Sequence, residues 1–210
     1  RGQSAGETSI CTVGVSGSGL TYRGYDIVDL AENTTFEEVA YLLLKGKLPN
    51  SQELKAYIEK LKTLRGLQPE LRSTLEGIPK TAHPMDVLRT GCSVLGNLEQ
   101  EEGFINQTDH ADRMLSAFPS ILSYWYQYSH YGKRIDTETG DDTIGGHFLH
   151  LLHGKKPSQL HDQVMSISLI LYAEHEFNAS TFAARVCAST LSDIHSAVTS
   201  AIGTLRGPLH

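Results

Sequence analysis

After Tyr25 the apolar positions fall, almost to the end, in blocks with helical spacing and helical punctuation by glycine, proline and cap-type polar residues. That period predicts a succession of amphipathic helices. Thr35 and Glu38 have the Ser/Thr-x-x-Glu spacing of a capping box, directly ahead of Val39-Ala40-Tyr41-Leu42-Leu43-Leu44, and Gly46 and Pro49 supply the stop. Leu54, Ile58, Leu61 and Leu64 repeat at helical spacing between a start near Asn50 or Ser51 and a stop at Gly66. Pro84 suits the first turn of a helix running through Leu95. Asp112 to about Tyr131 reads as a longer, more apolar helix, and segments 143–153, 161–174, 178–190 and 192–205 complete the set. Residues 97–110 and 132–142 are polar, glycine-containing connectors. Up to Tyr25 the pattern differs: Ile10–Val13 and Leu20–Arg23 are rich in strand formers and flank a turn over Gly14–Gly19, which predicts a small hairpin. No stretch repeats at a 30–50-residue period, so a helical solenoid is not expected. The chain is therefore expected to be mainly α, a multi-helix domain with one short N-terminal β-hairpin.

Composition narrows the partners more than the fold. With 210 residues and 40% hydrophobic content, a sizeable core is available. Lys plus Arg number 18 against 24 for Asp plus Glu, a formal charge of −6, which argues against a protein that coats nucleic acid. A phosphorylated small ligand remains compatible, because it needs only a local cationic pocket. No run approaches the roughly 20 apolar residues of a membrane-spanning helix. Cys11, Cys92 and Cys187 are isolated and odd in number, which fits a reducing, cytoplasmic setting. The chain has no initiator Met and stops at Gly207-Pro208-Leu209-His210, directly after a helix-like segment. It is expected to be part of a longer protein.

Ten histidines are the main chemical resource. His147, His150 and His153 lie three apart, near one helix face, a spacing that can suit a metal. No carboxylate follows at matching spacing, and alternation with Phe148, Leu149, Leu151 and Leu152 favours a packed helix with polar tips. His175-Glu176 invites comparison with HExxH, but that motif needs a second histidine at position 179, which is alanine. What remains is an apolar helix (Val164, Ile167, Ile170, Leu171) ending in Glu174-His175-Glu176, before Asn178-Ala179-Ser180-Thr181 opens the next helix with cap-type residues. Polar groups at such a junction are costly unless paired or used. Two readings stand: side chains that merely satisfy helix ends, or a ligand site where an imidazole and two carboxylates converge. Arg206–His210 reads as a helix end followed by a rigid turn that presents a histidine.

Several blocks, in order, carry a resemblance. Leu20-Thr21-Tyr22-Arg23-Gly24-Tyr25-Asp26-Ile27, Phe36–Leu43, His83-Pro84-Met85-Asp86-Val87, His175–Phe182 and Gly207-Pro208-Leu209-His210 resemble the citrate synthase superfamily. Gly145–Gly154 with Lys156-Pro157-Ser158 resembles its 2-methylcitrate synthases in particular. The resemblance implies a two-domain, mainly α-helical homodimer with its active site in the cleft between the domains. Residues 1–207 would form the large helical domain and 208–210 the start of the inter-domain region. It implies condensation of propionyl-CoA, or acetyl-CoA to a lesser degree, with oxaloacetate, followed by thioester hydrolysis, with no metal and no redox cofactor. His210 matches the histidine that hydrogen-bonds the thioester carbonyl as the enol forms. His175 matches a histidine that holds oxaloacetate, and Asn178 and Ser180 match polar neighbours in the same pocket. A second catalytic histidine, a carboxylate base and substrate-binding arginines are expected beyond His210, so the segment alone should be inactive. A citrate synthase of the tricarboxylic acid cycle is the alternative within the class. Outside it stand a non-catalytic helical assembly module and, with little support, a histidine-rich metalloprotein.

Overall fold

The computed structural model describes residues 6–14 and 19–210. Three short antiparallel strands open the chain: β1 (Cys11–Val13), β2 (Leu20–Tyr22) and β3 (Tyr25–Asp26), in the order β1-β2-β3. Cys11 lies opposite Tyr22, and Tyr22 opposite Tyr25. The expected hairpin is β1 and β2; residues 15–18 of its turn lie outside the described residues. The third strand follows from Arg23-Gly24, where both residues take positive φ (50° and 89°), the combination that reverses a chain in two residues.

Ten α-helices follow among the described residues: α1 (Ile27–Asn33), α2 (Phe36–Lys45), α3 (Ser51–Thr63), α4 (Pro69–Glu76), α5 (Pro84–Leu98), α6 (Gln107–Tyr131), α7 (Ile144–His153), α8 (Gln159–Tyr172), α9 (Ala179–Ser189) and α10 (Ile194–Leu205). The Thr35–Glu38 capping box is formed in both directions, and a second one joins Asn50 to Glu53 at the start of α3. Such a cap contributes about 1 kcal/mol. Three features depart from the sequence expectation. Helix α1 starts directly at the end of β3, with Asp26 capping Val28. Helix α4 has two turns and one apolar pair, Leu71 and Leu75, too short to register as a period. Helix α6 starts at Gln107 rather than Asp112, so polar residues 107–110, read as connector, form its first turn.

Two cores share α6. One gathers Leu71, Leu75, Val87, Cys92, Leu95, Met114, Ile121, Trp125 and Ile202 from α4, α5, α6 and α10. The other gathers Tyr22, Leu30, Val39, Leu42, Tyr57, Leu61 and Ile170, so that the sheet packs against α1, α2, α3 and the C-terminal end of α8. Each fully buried Leu or Ile contributes roughly 1.5–3 kcal/mol. This second core matters for function, because it seats the sheet beside the polar junction that follows α8.

The three α7 histidines go to separate neighbours, as packing requires. His147 is fully buried, with Ser120 Oγ 3.0 Å from Nε2 and Thr139 Oγ1 3.0 Å from Nδ1. Burial, and then the nearby Arg65 charge, push its ring down to about 3, so it is neutral near pH 7. His150 Nδ1 lies 2.6 Å from Asp141 Oδ2, and His153 is exposed at the helix end. Among the described residues no group of three or more His, Cys, Asp or Glu is placed to hold a metal.

Candidate active site

Helix α8 ends at Tyr172 and α9 begins at Ala179. The residues between them form a tight polar junction. Asn178 is the N-cap of α9, its side-chain oxygen accepting from Thr181 N at 3.0 Å. Glu176 takes a left-handed conformation (φ 54°), which costs a non-glycine residue about 1–2 kcal/mol and persists only where neighbours hold it. Its carboxylate accepts a hydrogen bond from Val13 N in β1 at 2.9 Å. Glu174 donates its backbone N–H to Tyr22 Oη at 3.2 Å, and the same phenol donates to Ile170 O at 2.8 Å. Burial raises the Glu174 carboxyl above the usual carboxylate range; the backbone amides of Glu176 and His175 and the His175 ring oppose that rise.

His175 stands exposed between these two glutamates, and among the described residues its ring makes no hydrogen bond. Of the two carboxylates expected around it, Glu174 lies close enough to feel the charge of both His175 and Glu176. Glu176 is spent on the sheet, because a left-handed backbone at 176 brings its side chain within reach of the open N–H of β1.

The chain end returns to the same place. Helix α10 closes at Leu205, and Gly207–His210 form a turn in which His210 N donates to Gly207 O at 3.2 Å. The His210 ring then reaches the first turn of α9, with Nε2 2.6 Å from Ser180 Oγ. The other ring nitrogen, Nδ1, makes no hydrogen bond among the described residues. The structure thus joins Ser180 to His210 directly and sets Asn178 at the cap of the same helix. His175 lies across the junction and is hydrogen-bonded to none of them. Two residues the sequence reading passed over, Tyr22 and Val13, shape this junction from the sheet; their separation from it along the chain left no local signal.

The model of the citrate synthase C-terminal domain family matches residues 1–210. This chain belongs to the citrate synthase family. It is 72% identical over all 210 residues to the 2-methylcitrate synthase of Shewanella oneidensis, and it spans 56% of that protein's length. The fold is that of solved citrate synthases. The enzyme of Thermotoga maritima superimposes with a TM-score of 0.85 at 37% identity, covering 100% of this chain and 55% of that one. The enzyme of Thermoplasma acidophilum superimposes with a TM-score of 0.90 at 28% identity, covering 98% of this chain and 54% of that one. That structure is a ternary complex with carboxymethyl coenzyme A and oxaloacetate. This citrate synthase chain thus carries the Ser180–His210 pair and the His175 junction within roughly half the length of its relatives.

Proposed function

We propose that the protein is a 2-methylcitrate synthase. It condenses propionyl-CoA with oxaloacetate and water to give 2-methylcitrate and CoA, as a step of propionate catabolism, with acetyl-CoA as a lesser donor. The observation that carries this reading is the 72% identity to the Shewanella 2-methylcitrate synthase across the whole chain, against 37% to the Thermotoga citrate synthase.

The geometry suits the chemistry. Enolising a thioester places negative charge on its carbonyl oxygen, and a fixed neutral donor stabilises that charge without first losing its own proton. In this reading His210 supplies the donor from its ring, held on a short turn and against Ser180. The α-proton leaves to a carboxylate base expected beyond His210. The enol carbon then attacks the keto carbon of oxaloacetate, forming the new C–C bond. Water finally cleaves the thioester, releasing the CoA thiol and the tricarboxylate. Oxaloacetate is a dianion, and the exposed imidazole of His175 and the cap region of α9 at Asn178 offer it hydrogen-bond partners. Acyl-CoA is a substrate, and no metal or redox cofactor is called for. The reading includes a cytoplasmic homodimer: the three cysteines are free, two of them buried, and apolar surface is left uncovered on α6 and α8.

Initial rates of the full-length protein with propionyl-CoA and acetyl-CoA at equal concentration test the donor assignment. Propionyl-CoA should be turned over faster. Faster turnover of acetyl-CoA would replace the proposal with a citrate synthase of the tricarboxylic acid cycle. A pocket distinguishes one methylene by only about 1–3 kcal/mol, so both donors should react measurably.

A further inference from the structure

The His175 side chain has no hydrogen bond of its own, yet the residues on both sides of it are tied to the N-terminal sheet. On one side Tyr22 Oη, from β2, accepts from Glu174 N at 3.2 Å while donating to Ile170 O at 2.8 Å in the last turn of α8. On the other side the Glu176 carboxylate accepts from Val13 N of β1 at 2.9 Å. Tyr22 is fully buried, so its hydroxyl has no water to turn to. Its two bonds pin a carbonyl of the last helical turn to the second amide beyond the helix end. Glu176, at φ 54°, carries a strain that its bond to β1 helps to offset.

We infer that Tyr22 and Glu176 are positioning residues for His175, setting through the backbone where that imidazole meets the substrate. Strand pairing sets the distance between the two tethers. Tyr22 sits opposite Cys11, two residues before Val13, so one strand pair presents both groups to the junction in a fixed register. An imidazole whose neighbours are clamped on both sides loses little further freedom when it binds a ligand. That pre-organisation is worth affinity rather than turnover. The inference rests on the proposed role of His175 in holding oxaloacetate, and the test separates the two.

In the full-length enzyme, Tyr22→Phe keeps the ring and removes both hydrogen bonds. The KM for oxaloacetate should rise about three- to tenfold, the range expected for loss of a net hydrogen bond. The KM for the acyl-CoA should stay within twofold. A loss of active protein would instead lower kcat and leave both KM values unchanged, and that result overturns the inference. Glu176→Ala should raise the oxaloacetate KM in the same way, and Glu176→Gln, which keeps an acceptor for Val13 N, should restore most of it. If Tyr22→Phe does not fold, that pair decides: equal KM values for Glu176→Ala and Glu176→Gln would overturn the clamp. In a His175→Ala background the Tyr22→Phe effect should vanish; a full additive effect would mean that Tyr22 does not act through His175. His175→Ala with unchanged oxaloacetate affinity would refute the reading of His175 itself, and with it the clamp.

Discussion

At the scale of single residues, the catalytic role proposed for His210 falls on an exposed imidazole that is held from two sides. The Gly207–His210 turn sets its backbone and the Ser180 hydroxyl sets its ring. His210→Ala in the full-length enzyme should therefore lower kcat by about 100–1,000-fold, the usual effect of losing one donor at a developing oxyanion. Oxaloacetate binding should persist, because His175 and Asn178 are untouched. Steady-state kinetics and an oxaloacetate titration check both halves, and near-normal turnover would remove His210 from the mechanism. His175 stands out in the sequence as a polar residue where an apolar helix ends, whereas Asn178, Ser180 and His210 are singled out as site candidates by the resemblance to the citrate synthase family. Their pairing is not legible there. Ser180 and His210 meet only through the packing of α9 against α10, and no local pattern encodes a contact across that separation. His147 shows the same limit: its place on a packed helix follows from spacing, but its partners Ser120 and Thr139 come from two other segments.

At the scale of elements, the helices that form the first core approach closely at two glycines of α5. A Cβ added at Gly91 would lie 2.6 Å from Ile121 Cγ2 of α6, and one at Gly96 would lie 2.6 Å from His195 Cβ of α10. Such crowding in a dense core costs about 1–3 kcal/mol. Gly203 in α10 is different: its nearest neighbour would be Arg89 Cδ at 3.7 Å, an ordinary contact with a flexible chain. Gly91→Ala should thus lower the urea midpoint, and Gly203→Ala should raise it, adding about 0.5–1 kcal/mol of stability through helix propensity alone. Urea titrations of both variants decide; a neutral Gly91→Ala would mean that α5 and α6 can separate at little cost. Helices of ten residues or more announced themselves by period and caps, as at Thr35–Glu38 and Asn50. Elements α1, α4 and β3 did not, since two turns or two residues hold too few apolar positions to make a pattern. Their position is set by the Arg23-Gly24 turn, by Pro69, and by the surfaces they cover.

At the scale of the whole molecule, apolar surface remains uncovered in two places. Leu160, Val164, Leu171 and Tyr172 face outward along α8, with Phe182 and Val186 of α9 exposed. Beside α6, cavities of 430 Å³ and 280 Å³ share Phe36, Leu115 and Phe118, so they form one apolar trough bordered by α2, α7 and α8. Soluble monomers rarely leave contiguous apolar patches beyond a few hundred Å². A two-fold contact between copies is the common way to cover such a surface, because one patch then buries its twin. The sequence already shows an apolar helix from Asp112 to about Tyr131 and another through Val164–Leu171, and the trough and the outward face of α8 include residues of both. The 210-residue segment on its own should therefore self-associate at micromolar concentration. It should also fail to condense propionyl-CoA with oxaloacetate, since the roles proposed for Ser180, His175 and His210 are to hold and polarise substrate and include no base for the α-proton. Multi-angle light scattering on the isolated segment gives the mass directly. A well-folded monomer would place the interface elsewhere on the molecule, and condensing activity in the same sample would mean that a base within these residues has gone unrecognised.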